Sequence, residues 1–495
     1  MNKIMILNTI KQNKFLHILL AVLLFGGFEQ NCWAEPATIN TNISAAKIPE
    51  SQVADIEMEN KATQEEIKDF VVTYALIKQY YVKPTKDSDL IKGAINGLVG
   101  SIDPHSGYLD ETGLNDLNDT TEGQFVGVGM EFANDKSVNK ILSVIYDSPA
   151  YKAGIISGDI ITKVDGQSVI DMSLEKVVKK IRGKEGTTVN ITVQRGKTSV
   201  SFNLVRKKIN IKSVQFALID DNHYVYVKIT NFEKNTSNQL VEVISSIYSR
   251  YPDIKGLVLD LRDNPGGILQ AAIGVLAVFL PPDSLVVYMK NRYNDIFNFY
   301  TNPMGYNLDG TQEKIMKKLP VAVKSLPMVV LINQNSASAA EIVAAALKEY
   351  HRAKILGTTS FGKGSVQQVI PLSKTTALKL TTSLYYTPNN NSVQAWGVQP
   401  DITVYSEYQD ALNEYTFSEN RFSKHLDNPN EKIDASSNIK IIKPAKQLSL
   451  EQLINARRKA IMPVSDWQIV VDPDLDFQLQ QAIQSFHYTQ PKEIK

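Results

Sequence analysis

From residue 63 to residue 101 the apolar positions recur at helical spacing. Val71, Leu76, Ile77, Tyr80 and Tyr81 form one stripe, and Ile91, Ala94, Ile95 and Leu98 a second. Asp103-Pro104-His105-Ser106 breaks the pattern. Shorter runs follow. Ile141 to Ile145 predicts a strand, Asp147-Ser148-Pro149 a turn into a short helix ending near Gly154, and Ile160 to Val164 a strand closed by the hairpin signal Asp165-Gly166. Ser173 is placed to cap a helix whose Leu174, Val177, Val178 and Ile181 fall at i, i+3, i+4 and i+7, with Gly183 to stop it. Val189, Ile191 and Val193, then Val200, Phe202 and Leu204, alternate as strand residues do.

Beyond residue 208 the pattern becomes strand–helix alternation. Tyr224 to Lys228, Leu257 to Leu261, Met328 to Asn333, Lys354 to Gly357 and Leu378 to Tyr386 read as strands. Leu240 to Ile247, Ile268 to Leu280 and Ala339 to Tyr350 read as helices. That order predicts an α/β core with right-handed crossovers. The chain as a whole is expected to be multidomain, α+β and α/β. A helical N-terminal segment spans 61–112, a β module 113–207, the core 208–405, and a polar, mostly irregular or helical C-terminal extension 406–495.

The first 60 residues are different in kind. Lys3, Lys11 and Lys14 precede the apolar run Phe15 to Phe25, and Cys32-Trp33-Ala34 offers small residues at cleavage positions. Residues 1–34 therefore read as a secretory signal peptide cut after Ala34, or an uncleaved anchor, and 35–60 as a linker. The expected location is across the inner membrane, in the periplasm, either free or membrane-associated. The only cysteine, Cys32, lies in this leader. The mature chain then has no disulfide, thiolate metal site or cysteine nucleophile. The formal net charge of +1 supplies no basic field for nucleic acid. The 495 residues leave room for about three domains of ~150 residues.

Candidate chemistry sits on glycine-framed turns. Phe125-Val126-Gly127-Val128-Gly129-Met130 opens the β module; its backbone N–H groups can converge into an anion cradle, and a peptide can add a strand beside it. With Ser148-Pro149-Ala150, Ala153-Gly154, Gly158-Asp159 and Asp165-Gly166, this run resembles a PDZ domain. In the core, Asp263-Asn264-Pro265-Gly266-Gly267 joins a strand to a helix, and so does Asn333 to Glu341. Ser338 stands at that second helix start, where orphan N–H groups favour negative charge. Ser338-x-x-Glu341 also satisfies a capping box, in which the serine only caps the helix. Phe361-Gly362-Lys363-Gly364 tilts the choice. A lysine between two glycines makes poor core material, but it can serve as a base if burial brings its pKa down toward the working pH. Gln367 is placed to orient the amine.

In this order these segments resemble the C-terminal processing peptidases, or tail-specific serine proteases, from about residue 65 to 405. The set includes Asp103-Pro104-His105-Ser106 and Tyr224 to Phe232. The resemblance implies Ser338 as nucleophile, Lys363 as general base, Gln367 as support, and an oxyanion hole from the N–H groups of Gly266 (or Gly267) and Ala339. It implies peptide binding at Val126, Gly127, Val128 and Gly129, with Arg182 coupling binding to activation. The implied substrates are proteins or peptides with accessible C-termini, with no metal or organic cofactor and no nucleic-acid partner. Self-association through the N-terminal helices and delivery of substrates by an adaptor are both compatible with it. Ala340 stands where the family often has serine.

Three rival readings are a Ser-His-Asp hydrolase, a catalytically inactive PDZ-type peptide-binding adaptor, and an acyl-thioester enzyme on a related core. Of the mature chain's five histidines, none lies in a glycine-framed loop. His351 closes the helix begun at Ser338, ~20 Å away at ~1.5 Å per residue. An adaptor has no use for Ser338, Lys363 and Gln367 together. Export argues against a cytosolic thioester substrate.

Overall fold

The computed structural model describes residues 61–488 apart from 136–137, 146–147, 157, 211, 220–222, 308–309, 408–417, 431–439, 446–467, 470 and 472. The expected leader (1–34) and linker (35–60) lie outside the described residues, as does Asp147 of the expected turn.

The helical segment is α1 (Lys61–Tyr80) and α2 (Asp87–Gly100), followed by β1 (Gly107–Leu109) and α3 (Glu111–Thr121). The apolar stripe is largely uncovered: Leu76, Ile77, Tyr80, Tyr81, Ile91 and Leu98 are exposed. After α2 the buried Asp103 carboxylate accepts the N–H groups of His105 and Ser106, each at 2.8 Å, and the Ser106 hydroxyl at 2.6 Å. These bonds lock the turn that the proline begins.

The β module contains β2 (Gln124–Gly127), β3 (Met130–Asp135), β4 (Val138–Val144), α4 (Pro149–Ala153), β5 (Ile160–Val164), β6 (Gln167–Ser168), α5 (Leu174–Ile181), β7 (Thr188–Arg195), β8 (Thr198–Val205) and β9 (Lys207–Asn210). Its sheet runs β3-β4-β5-β7-β8, with β6 hairpinned onto β5, while β2 pairs separately with β9. The alternation read from sequence is realised. Val189, Ile191 and Val193 are fully buried in one core with Ile141, Ile161 and Val177. Asp165 and Gly166 both take positive φ, as a two-residue hairpin loop demands. Ser148 caps α4 through the N–H of Tyr151, and Gly154 ends it at φ 84°. Two local expectations fail. The Ser173 side chain makes no cap bond, and α5 ends because Arg182 turns extended, not because Gly183 takes a left-handed conformation. Gly183 is small for another reason: a Cβ there would lie 2.9 Å from the Arg206 guanidinium.

The core comprises β10 (Val214–Ile219), β11 (Tyr224–Ile229), α6 (Thr236–Arg250), β12 (Gly256–Asp260), α7 (Leu269–Phe279), β13 (Leu285–Asn291), β14 (Ile296–Tyr300), the short α8 (Pro303–Tyr306) and α9 (Gln312–Met316), β15 (Met328–Ile332), α10 (Ala339–Glu349), β16 (Lys354–Gly357), β17 (Ser365–Pro371), β18 (Ala377–Tyr386), β19 (Ile402–Val404), β20 (Lys440–Ile442) and α11 (Phe477–Tyr488). Seven strands form one sheet in the order β10-β11-β12-β15-β16-β19-β20, parallel from β11 onward. Every residue of β12 and β15 is buried, which explains their uninterrupted apolar runs. Successive side chains face opposite layers. Leu257, Leu259, Val330 and Ile332 pack toward α6, α7 and α10. Val258, Val329 and Leu331 pack toward Leu479, Ala482 and Phe486 of α11. A second, antiparallel sheet joins β1, β18, β13 and β14, with β17 also on β18.

One ion network pins the C-terminal helix to the end of β12. The fully buried Asp260 accepts Arg262 Nη2 at 2.6 Å and the Tyr226 hydroxyl at 2.6 Å. Arg262 reaches on to Asp476 (2.6 and 2.9 Å) and Gln478 (3.0 Å). Burial pushes the Asp260 carboxyl up, but Arg262 and Lys228 outweigh it and hold the pKa at about 2. The folded value lies below the unfolded one, so this stabilisation is complete above the unfolded pKa of 3.8 and is lost as pH falls through about 2. Arg262→Ala leaves Asp260 buried without its main counter-ion. Urea titration should show a stability loss of about 3–5 kcal/mol at neutral pH, and the loss should shrink as the pH is lowered from 4 to 2.

Candidate active site

Three loops leave the C-terminal ends of adjacent strands: 261–267 after β12, 333–338 after β15 and 358–364 after β16. Ligands gather at such strand ends in open α/β sheets. The first two loops are stitched together. Ser336 Oγ donates to Leu261 O (2.7 Å), Ala337 N–H donates to Asn264 O (2.9 Å), and the Asn333 and Asn335 side chains both donate to Asp263 Oδ1.

Ser338 is the last residue before α10 and has φ 53°, ψ −115°. This is a sparsely populated conformation for a non-glycine residue, costing on the order of 1–3 kcal/mol. It turns the chain sharply from strand to helix, as turns that expose a nucleophilic serine do. Gly266 is packed against it: a Cβ there would lie 2.7 Å from Ser338 Cβ and 2.9 Å from Ala339 N.

The fully buried Glu341 carboxylate joins this turn to the lysine turn. Its Oε2 accepts the N–H of Ser338 (2.8 Å) and of Lys363 (2.9 Å), and its Oε1 accepts the N–H of Gly362 (2.6 Å) and the Ser360 hydroxyl (2.6 Å). The backbone nitrogens of residues 338 and 363 are therefore no more than two hydrogen-bond lengths apart. Burial pushes the Glu341 pKa up to about 7, while its donors hold it down. The capping-box glutamate thus has a second role that local sequence does not display.

Lys363 is partly buried. Desolvation lowers its pKa, and the neighbouring Lys379 lowers it further; Glu419, Glu341 and Asp103 oppose them. Among the described residues its amine makes no hydrogen bond, including none to Ser338. Gln367 gives its Nε2 to Ser365 Oγ (3.0 Å) and Thr381 Oγ1 (3.1 Å), which leaves its carbonyl oxygen as the group able to receive an amine. Thr381 in turn donates to Asp103 (3.1 Å).

The N–H groups expected to form an oxyanion hole differ in their partners. The N–H of Gly266 is already given to Asn264 Oδ1 at 2.8 Å, so in this state it does not face a substrate. Gly267 is exposed, and its flanking groups are tied to Phe232 through Gly266 O and Ile268 N–H, at 2.9 and 2.8 Å. Its own N–H carries no bond among the described residues, and neither does that of Ala339.

In the β module, Gly127, Val128 and Gly129 are buried and Val126 partly so; Val126 and Gly127 pair with Lys208 and Lys207 on β9. Gly129 has φ 81° and packs on Ser148. Arg182 is at the surface, on Asp116 of α3 at 3.1 Å. Of the histidines, His105 bonds Glu419, and His351 closes the far end of α10 through the carbonyl of Lys348. The sequence reading missed Glu419, which lies in the C-terminal extension. Nothing in its local pattern distinguishes it.

The profile of peptidase family S41 matches residues 223–404, that of a PDZ domain residues 140–195, and that of the activating protease CtpB N-terminal domain residues 26–113. The chain is 38% identical over 370 residues to a carboxy-terminal-processing protease of Bartonella bacilliformis, covering 74% of this chain and 81% of that one. It is 34% identical to a probable CtpA-like serine protease of Staphylococcus haemolyticus, covering 70% of this chain and 67% of that one. Among solved structures it is similar to a photosystem II D1 C-terminal processing protease, at 27% identity with a TM-score of 0.39, covering 67% of this chain and 86% of that one. The PDZ and S41 profiles fall on the β module and on the strand–helix core that carries the three loops, and the chain belongs to the carboxy-terminal-processing serine proteases of peptidase family S41.

Proposed function

We propose that the chain is an exported serine endopeptidase that receives C-terminal tails at its PDZ domain and cuts them with Ser338 and Lys363. One observation carries this reading: a single buried carboxylate, Glu341, fixes the backbones of both residues to one point.

The chemistry follows from these groups. Neutral Lys363, with its carbonyl partner on Gln367, takes the proton of Ser338. The serine oxygen attacks the scissile carbonyl. The oxyanion is held by the N–H of Ala339 and by that of Gly267, or of Gly266 once it leaves Asn264. As the intermediate collapses, the leaving amine takes the proton back from Lys363. Water, deprotonated by the same amine, then attacks the acyl-enzyme, and as the ester bond breaks the Ser338 oxygen takes that proton back from Lys363. Attack requires the Lys363 amine to swing onto Ser338 from its unbonded position. A tail carboxylate held by the N–H groups around Gly127 to Gly129, with Arg182 leaving Asp116, is the event that drives the swing. Self-association through the exposed stripe of α1 and α2, and an adaptor that delivers substrate, are consistent with this scheme.

Purified Ser338→Ala and Lys363→Ala should each lose at least ~10³-fold in kcat/KM on an unstructured peptide, as loss of a nucleophile or its base does. Wild-type turnover in either sinks the assignment. The kcat/KM of the wild type should rise with pH as Lys363 loses its proton, with the limb below the usual lysine range because burial favours the neutral amine. Peptides with a free C-terminal carboxylate should be cut faster than their amidated twins. Equal rates would remove the carboxylate from the activation step. Secretion from a bacterial host should yield a mature N-terminus at Glu35 by mass spectrometry.

A further inference from the structure

The lysine turn is held from two sides. Glu341 holds the N–H groups of Gly362 and Lys363. The opposite side is taken by a strap of the C-terminal extension, residues 418–430. Glu419 N–H donates to Phe361 O at 3.0 Å, so the strap bonds the turn directly. The Glu419 side chain is 1% exposed and receives two donors, His105 Nε2 at 2.8 Å and Gln394 Nε2 at 3.2 Å. Gln394 is fully buried, and its Oε1 accepts the N–H of Gly364 at 2.9 Å. The strap is itself anchored: Gln394 Nε2 donates to Leu426 O (3.0 Å), Asn428 Nδ2 to Ser392 O (2.9 Å), and Lys424 Nζ to Gly100 O (3.2 Å). The Phe422 ring centroid is 6.2 Å from that of His105 and 6.0 Å from that of Phe361.

We infer that Glu419, gripped by His105 and Gln394, is a positioning residue for Lys363: it fixes the turn on the side away from Glu341 and places a negative charge near the amine. This rests on the reading of Lys363 as the general base. The charged groups that bear on the amine come from four places: Lys379 on β18 works against its charge, while Glu419 on the strap, Glu341 on α10 and Asp103 before β1 favour it. The nearest other titratable group to Glu419 is His105, whose own N–H is held by Asp103. A carboxylate that only filled space could be neutralised without effect on the amine. One that acts on Lys363 cannot.

The test uses the full chain and a fluorogenic unstructured peptide with a free C-terminal carboxylate. Glu419→Ala should lower kcat about 10²-fold with KM little changed, the scale expected when a reacting group is displaced by ~1 Å. Glu419→Gln keeps the shape and the backbone bond to Phe361 but removes the charge. It should recover much of the plateau and move the acid limb of the kcat/KM profile to lower pH, because the ammonium loses a stabilising neighbour. If thermal melting shows Glu419→Ala unfolded, the glutamine variant decides alone: a shifted limb supports the inference and an unmoved limb overturns it. Wild-type plateau and limb in both variants, with Lys363→Ala inactive, overturn this inference and leave the Ser338–Lys363 assignment standing. Activity in Lys363→Ala overturns both.

Discussion

The geometry of the site depends on one buried carboxylate that, among the described residues, has no cation bonded to it. All four partners of Glu341 are dipolar donors: three backbone N–H groups and one hydroxyl. Hydrogen bonds to a charged group are stronger than neutral ones, at about 1.5–3 kcal/mol each, and together they offset only part of the cost of burying the charge. What they fix is backbone. The main chains of Ser338 and Lys363 are referred to one point. The arrangement carries a conflict. A pKa raised to about 7 means Glu341 favours the folded state most below its unfolded value of 4.5 and least once the pH passes 7. The ionised form, which accepts all four donors, is the one that burial opposes. Order at the site is maintained against global stability, as is the positive φ of Ser338.

The state described is a resting one in a specific physical sense. Among the described residues the lysine amine is desolvated yet unbonded, the Gly266 N–H is occupied by Asn264, and Gly127 to Gly129 of the β module are buried. The backbones of the two turns are tied to one carboxylate, whereas on the proposed reading the groups that would meet a substrate are not yet turned toward it. A protease with its frame assembled and its contacts withheld spares its neighbours without having to refold for each turnover.

Much of this was legible in the sequence where periodicity speaks. The parallel strands β11, β12, β15 and β16 were visible because burial on both faces produces runs such as Met328 to Ile332, and the PDZ strands because one-sided burial makes Val189, Ile191 and Val193 alternate. Ser338 and Lys363 stood out because glycine and small residues frame them. Of the second sheet, β18 was visible as Leu378 to Tyr386, but β13, β14 and β17 were not. β17 follows directly on the lysine turn, and β14 presents mostly exposed residues, so neither has a burial rhythm. Side-chain capture of backbone was equally hidden. That Asn264 takes the Gly266 N–H, that Glu341 serves two turns, and that Arg182 settles on Asp116 are facts of tertiary contact, and nothing in the local spacing encodes them. The C-terminal extension was the least readable part, because Glu419 and α11 act through partners far away in the chain.

That distance has a consequence for the order of events in the cell. His105 and Glu419 are separated by 314 positions, and the helix that Arg262 anchors comes later still. A ribosome must finish nearly the whole polypeptide before the last wall of the lysine turn exists. A nascent chain carries Ser338 and Lys363 before it carries the strap that bears Glu419. Vectorial synthesis thus makes residues 338 and 363 before the segment that completes the walls of the lysine turn, and on the proposed reading the site gains its full support only late in synthesis.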